Sequence, residues 1–270
     1  MSIDSRRERF ANCGKSGFSM VATIWFTFAI LVSCSSAEEN LGWRTIETLE
    51  DANAFQAAAA DLDFFYAINN REISKIDRRT KVRVAVSDGR ARHLNSGYLL
   101  KGKLYCAHSN YPLVPERSRI KVLNTTSMKL TDHHDFGNYG GSLTWIVRHE
   151  GHWWCNFAKY GAENGNTFLA KFTDDWQEVA RWSYPEIVIS QLGRYSLSGG
   201  LWKDGQLVVT GHDAAIVFVL VLPKTGKVLK FVEQQVVPFH GQGFAHDPKT
   251  NGFIGIVRAK RQLVLSVRGK

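Results

Sequence analysis

Four histidines, His93, His108, His212 and His240, stand beside amides, hydroxyls or a carboxylate. Imidazole is the side chain that most readily takes or gives a proton near neutral pH, and it is a common metal ligand. In the pair His212-Asp213 the carboxylate can orient the ring or share an ion with it. His93, His240, His212 and Asp213 are therefore the candidates for acid–base or metal chemistry. Since imidazole outnumbers carboxylate in this set, a single zinc-like divalent ion is a candidate cofactor, and calcium a poorer fit. Other hydrogen-bonding groups recur at matching points of the chain: Gln56, Asn70, Asn95, Ser96, Asn110, Ser142, Lys159, Ser198, Gln242 and Arg258, together with His108. They suit a small polar molecule or a peptide.

Several motifs fail on inspection. "HEGH" (149–152) is one residue short of the spacing that puts two histidines on one helical face, and it falls in a hairpin. "DHHD" (132–135) lies on an outer strand, away from any rim. "GKS" (14–16) lacks the upstream glycine of a phosphate loop.

These residues are positioned by a repeat. After residue 60 no helical periodicity of useful length appears. Short apolar runs instead follow tight polar turns such as Lys101-Gly102, Glu150-Gly151, Asp204-Gly205 and Asn251-Gly252, which is hairpin chemistry. The first apolar residues after the turns are Phe64, Leu104, Trp153, Leu207 and Phe253, at intervals of 40, 49, 54 and 46 residues. An all-strand repeat of that length predicts an all-β fold, a five-bladed β-propeller with four strands per blade. A third strand follows each hairpin, and a fourth follows in four repeats. "WRTIETL" (43–49) is a spare strand placed to complete the last blade and close the ring. Most of Trp145, Trp153, Trp154, Trp176, Trp182 and Trp202 fall within strand patterns and are expected to pack between blades.

In such a ring the start of each first strand and the end of each second strand share one face. The segments "FQAA", "NSGY", "GSLT", "LSGG" and "GQGF" align Gln56, Ser96, Ser142, Ser198 and Gln242 around the channel mouth. His93, Asn95 and His240 open blades beside them. Asn70, His108, Asn110, Lys159, His212, Asp213 and Arg258 end second strands on the same rim. The long connections "NYPLVPERSR" and "KYGAENGNT" form a partial lid. His246 and Asp247 fall on the opposite face and are expected to be turn residues only.

The N-terminus carries Arg6, Arg7, Arg9 and Lys15, then an uncharged apolar run over 17–33, the layout of an export signal. "LVSC" (31–34) resembles a bacterial lipobox. That resemblance implies lipidation at Cys34, a signal over 1–33, a linker over 34–42 and the propeller over 43–270. Cleavage after Ala37, or an uncleaved anchor, is the alternative. The expected location is the bacterial cell envelope, on the extracytoplasmic side of a membrane. The formal charge is +9, of which the leader supplies +2. Basic residues are scattered, so no nucleic-acid partner is expected. Cys106 and Cys155 each sit in an apolar run, and two thiols rule out a disulfide-built scaffold.

"GQGF" followed by "AHDP" resembles the opening strand of glutamine cyclotransferase-type five-bladed propellers, and is similar in style to lactonase, cycloisomerase and strictosidine-synthase-like propellers. The resemblance implies that Gln242 is a polar group at the channel mouth. It also implies an acidic proton-transfer residue, whereas no acid opens a blade here; the rim carboxylates are Asp213, Glu116 and Glu163. Two functions are expected: an enzyme of cyclotransferase, lactonase or cycloisomerase type, or a non-catalytic tethered propeller gripping a peptide, glycan or protein. A focus of rim histidines at metal-ligand distance would favour the first; its absence favours binding.

Overall fold

The computed structural model describes residues 42–269. The leader, Cys34 and the linker up to residue 41 lie outside the described residues. The regular structure of the described residues is mostly antiparallel strand: β1 (Trp43–Glu50), β2 (Ala57–Ala60), β3 (Phe64–Ile68), β4 (Ile73–Asp77) and β5 (Arg83–Val86) come first. They are followed by β6 (Leu94–Leu100), β7 (Lys103–Ser109), β8 (Ser118–Asn124), β9 (Leu130–Gly137), β10 (Ser142–His149), β11 (His152–Ala158), β12 (Phe168–Phe172) and β13 (Glu178–Ser183). The last are β14 (Gly199–Lys203), β15 (Gln206–Thr210), β16 (Ile216–Val221), β17 (Lys230–Val236), β18 (His240–Asp247), β19 (Gly252–Val257) and β20 (Gln262–Arg268).

β6 to β9, β10 to β13 and β14 to β17 form three four-stranded sheets in sequence order. β2 to β5 and the set β18-β19-β20-β1 are the halves of an eight-stranded sheet, joined by a single parallel bridge between Gly243 and Ala57. β1 pairs antiparallel with β20, from Trp43 opposite Arg268 to Glu50 opposite Gln262. The first strands β2, β6, β10, β14 and β18 neighbour one another in that cyclic order.

The hairpins form where the turn chemistry requires. Lys101-Gly102, Glu150-Gly151 and Asp204-Gly205 all have positive φ at both positions, 49° and 73°, 46° and 73°, 51° and 73°. That is the twist-matched two-residue turn, for which glycine in second place carries no Cβ penalty. In the first hairpin the Asp61 carboxylate does the same work by accepting from the backbone N–H groups of Asp63 and Phe64.

The core lies between neighbouring sheets. Trp145, Trp154, Leu207, Phe218, Phe239, Phe244 and Phe253 are buried in one continuous cluster. Ala107, Ile146, Trp153, Phe157 and Phe172 are buried in another. The outer strands β5, β9, β13 and β17 are exposed or half-buried throughout, Leu130 apart. Cys106 and Cys155 are buried free thiols in β7 and β11, and desolvation pushes Cys106 up to about 12.

Short helical turns punctuate the connections: α1 (Glu186–Ile189) follows Pro185 and buries Val188 and Ile189, and a 3-10 turn spans Gly161–Asn166. One expectation needs correction. Asp247 is more than a turn residue. It is completely buried, with its two oxygens 2.5 and 3.1 Å from the Arg78 guanidinium of the facing half-sheet. Thr250 also donates to it through both backbone and hydroxyl. The Arg78 guanidinium donates as well to the Asp61 carbonyl and lies over the Phe65 ring.

Candidate functional site

At the rim, the amides expected to face a ligand are engaged in hydrogen bonds within the protein, and those of Asn95 and Gln242 join neighbouring sheets. Gln56 donates to Asn70, and its carbonyl accepts from Gly243 N–H. Asn95 donates to the Leu143 carbonyl across the gap between β6 and β10. Gln242 donates to the His212 carbonyl, and its own carbonyl accepts from Thr210. Its φ is +153°, in a region side-chain-bearing residues seldom occupy, at a bulge where β18 leaves register with β19. Those cross-sheet bonds hold the strained backbone. Ser96 and Ser142 are buried at matching positions and their hydroxyls have no partner among the described residues. Ser198 is half-buried, and its backbone N–H donates to Thr210.

Asn110 closes the 110–117 loop, donating to the Pro115 carbonyl and accepting from Arg117 N–H. Lys159 is paired with Glu116 at 3.1 Å, so that cation is already answered. His108 is buried and its Nε2 accepts from the backbone N–H of Arg92, while Nδ1 has no partner among the described residues. His240 is exposed, and its side chain forms no hydrogen bond among the described residues.

What the rim does bring together is a cluster around Arg258. Its guanidinium lies 3.3 Å from His212 Nε2 and stacks 3.8 Å above the Phe55 ring. A guanidinium only donates, so Nε2 accepts and the His212 proton sits on Nδ1, directed at Asp213 Oδ1 at 2.7 Å. The imidazole lies flat on Tyr195, centroids 3.8 Å apart. Desolvation lowers the His212 pKa, with Arg258 and Arg194 acting the same way and Asp213 opposing. His93 faces Tyr111, and its pKa is lowered to about 4 by burial first and by Arg258 second. Arg258 has no carboxylate within ion-pair distance among the described residues; burial lowers its pKa, yet a guanidinium keeps its charge. A cavity of about 330 Å³ adjoins the cluster, lined in part by Arg194, Tyr195, His212 and Asp213.

These charges decide between two kinds of ligand. Among the described residues no three His, Cys, Asp or Glu side chains are grouped to hold a metal ion. At the point where His212 presents its lone pair there is a fixed cation. The arrangement suits an anion, and the candidate histidines His93, His108, His212 and His240 belong to no such metal-holding group among the described residues.

The neutral histidines have a consequence for stability. His93 and His108 both titrate near 4 when folded, His108 again chiefly through burial, and near 6.5 when unfolded. The native state therefore binds fewer protons between those values, and stability present in full above about 6.5 is lost as pH falls towards 4. The urea midpoint is expected to be level from pH 8 to 7 and already lower at pH 5.5, above the ordinary carboxylate range. A midpoint constant to pH 4.5 would contradict this.

No family model matches the chain, and no curated protein matches it. Solved structures do. A glutaminyl cyclase from Myxococcus xanthus superposes with a TM-score of 0.55 at 9% identity, covering 83% of this chain and 95% of that one. The β-propeller domain of Cps50 (Swd1) from Myceliophteria thermophila superposes with a TM-score of 0.50 at 8% identity, covering 83% and 99%. The fold is a β-propeller.

The propeller's rim owes much to residues outside the candidate set. Tyr195 and Arg194 come from a connection between repeats, where no strand pattern marks them, and Phe55 precedes Gln56 in the "FQAA" opening segment. Tyr111 and Tyr160, 4.8 Å apart, lie on or beside the expected lid loops. The available signal was a tyrosine in each of "NYPL", "KYGA" and "GRYS", three connections that reach the same face.

Proposed function

We propose that this is an exported, lipid-anchored propeller of five blades, closed by residues 43–50, whose rim binds an anionic group of a small polar molecule or peptide without catalysis. The β1–β20 pairing and the lone bridge between Gly243 and Ala57 support the five-blade count and the closure. The basic and apolar layout of residues 1–33 and the lipobox-like "LVSC" support export, anchoring at Cys34 and a location in the bacterial envelope. The observation that carries the binding role is Arg258, a charged guanidinium beside neutral histidines and without a carboxylate partner among the described residues. Arg194 adds charge, and Tyr111 and Tyr195 add flat surface for the body of the ligand. Gln56, Asn95 and Gln242 serve by fixing the blades that present these groups.

One observation favours a second reading. Asp213 and His212 form an oriented carboxylate–imidazole pair, the arrangement a general base requires. In a cyclotransferase, lactonase or cycloisomerase role, His212 Nε2 would take the substrate proton, with Asp213 holding the ring. Arg258 would then have to leave Nε2 or orient the substrate there. The solved glutaminyl cyclase shares the fold at 9% identity, and that likeness concerns the fold alone.

The test is a calorimetric titration of citrate into the protein at low ionic strength. Binding is expected to be 1:1, and Arg258→Ala is expected to weaken it about tenfold to hundredfold, the cost of losing a charged hydrogen-bond donor. Turnover of an N-terminal glutaminyl peptide or a simple lactone, abolished in His212→Ala, would establish the enzymatic reading instead.

A further inference from the structure

At the end of the channel away from Arg258, a cavity of about 610 Å³ opens among the hairpin turns, a size that fits a small ligand. All five first strands contribute to it. Ala59, Ala60 and Ala245 leave the axis open, where the other end is crossed by amide bonds between sheets. Tyr98, Trp202 and Phe244 supply aromatic walls. His149, from the "HEGH" stretch, stacks on Trp202 with centroids 4.4 Å apart and planes within 8°. Burial lowers the His149 pKa from its ordinary value, so this ring is neutral at pH 7 and extends the aromatic surface.

The polar groups give the cavity a sign. Lys101, in the β6–β7 turn, forms no hydrogen bond or ion pair among the described residues. Lys203, across the opening, donates to Asn251 and lies 3.7 Å from the largely solvated Asp204. Arg148 is held by Asp174. The Asp61 carboxylate is occupied by two backbone N–H groups and the Tyr66 hydroxyl. The Trp202 indole N–H is buried and has no acceptor among the described residues, a deficit that native structures seldom leave unexplained.

We infer that this mouth is a second binding site, independent of the Arg258 rim, for a small planar aromatic acid. Its ring system lies against Trp202, Tyr98 and Phe244, and its anionic group takes Lys101.

The probe is 1-anilinonaphthalene-8-sulfonate, followed by its fluorescence in the native protein at pH 7. One saturable equivalent is expected, with a dissociation constant on the order of 10 µM for a ligand of that size. Ala245→Trp, which fills the cavity, is expected to weaken binding about tenfold or more. Lys101→Ala, on an exposed turn that leaves the fold intact, is expected to weaken it about threefold to fivefold. The uncharged 1-anilinonaphthalene should bind equally to wild type and Lys101→Ala, and Arg258→Ala should change nothing. No saturable binding, several equivalents, indifference to both Ala245→Trp and Lys101→Ala, or loss in Arg258→Ala would each overturn the inference.

Discussion

Asp247→Ala is expected to lower the unfolding free energy by about 3–5 kcal/mol, the cost of leaving a buried charge without its partner. Arg78 and Asp247 have side chains 6% and 0% exposed, so neither charge can turn to water once the other is gone. The pair joins β18 to the turn after β4, alongside the lone parallel bridge between those halves of the sheet. Burial alone would raise the Asp247 pKa, but the Arg78 and Thr250 hydrogen bonds outweigh it and hold the carboxyl below its ordinary value. Its contribution is thus present above about pH 4 and disappears only as the folded group protonates in stronger acid. Chemical denaturation at pH 7 checks the magnitude. The double variant Arg78→Met with Asp247→Leu should recover much of the loss, because two apolar groups leave no orphaned charge. A loss under about 1 kcal/mol in Asp247→Ala would mean that the guanidinium finds other partners.

The second large effect is expected at Asn156. This side chain is fully buried in β11, donates to the Thr144 hydroxyl and the Leu197 carbonyl, and accepts from the Tyr184 hydroxyl. It ties β10 and β11 to both ends of the connection that leads into β14. Asn156→Ala orphans a buried tyrosine hydroxyl and weakens two further bonds, for an expected loss of about 2–4 kcal/mol. The comparison is Asn156→Ala with Tyr184→Phe: if Tyr184 is orphaned as argued, the double variant is less destabilised than the sum of the singles. Additive effects would remove that coupling from the account.

The strand pattern was legible because it is written in local chemistry. The X-Gly turns at Lys101-Gly102, Glu150-Gly151 and Asp204-Gly205 each forced a hairpin, and the β-branched and aromatic runs after them pair as strands. At the last hairpin the turn is Pro248 to Asn251, and Gly252 already opens β19 opposite Asp247. "WRTIETL" could be placed beside the last strand because every other repeat had a fourth strand and the last did not. The site was less legible. The positions of Gln56, Asn95 and Gln242 at the channel mouth follow from the repeat, but what their amides bond depends on the neighbouring sheet, which no local pattern encodes. Asp247 looked like a turn residue because its partner, Arg78, is 169 residues away. The histidines suggested a metal because their types were visible and the guanidinium among them was not yet in place. Tyr195, which stacks on His212, lies in a connection whose path only the folded chain defines.

In the proposed binding role the Arg258 guanidinium organises the rim. The most direct test is calorimetry of the wild-type protein at pH 7 and low ionic strength, titrating citrate in one experiment and zinc chloride in another. One equivalent of citrate, weakened by added salt, and no stoichiometric zinc are the expected result. One equivalent of zinc, lost in His93→Ala or His212→Ala, with no citrate binding, would contradict it.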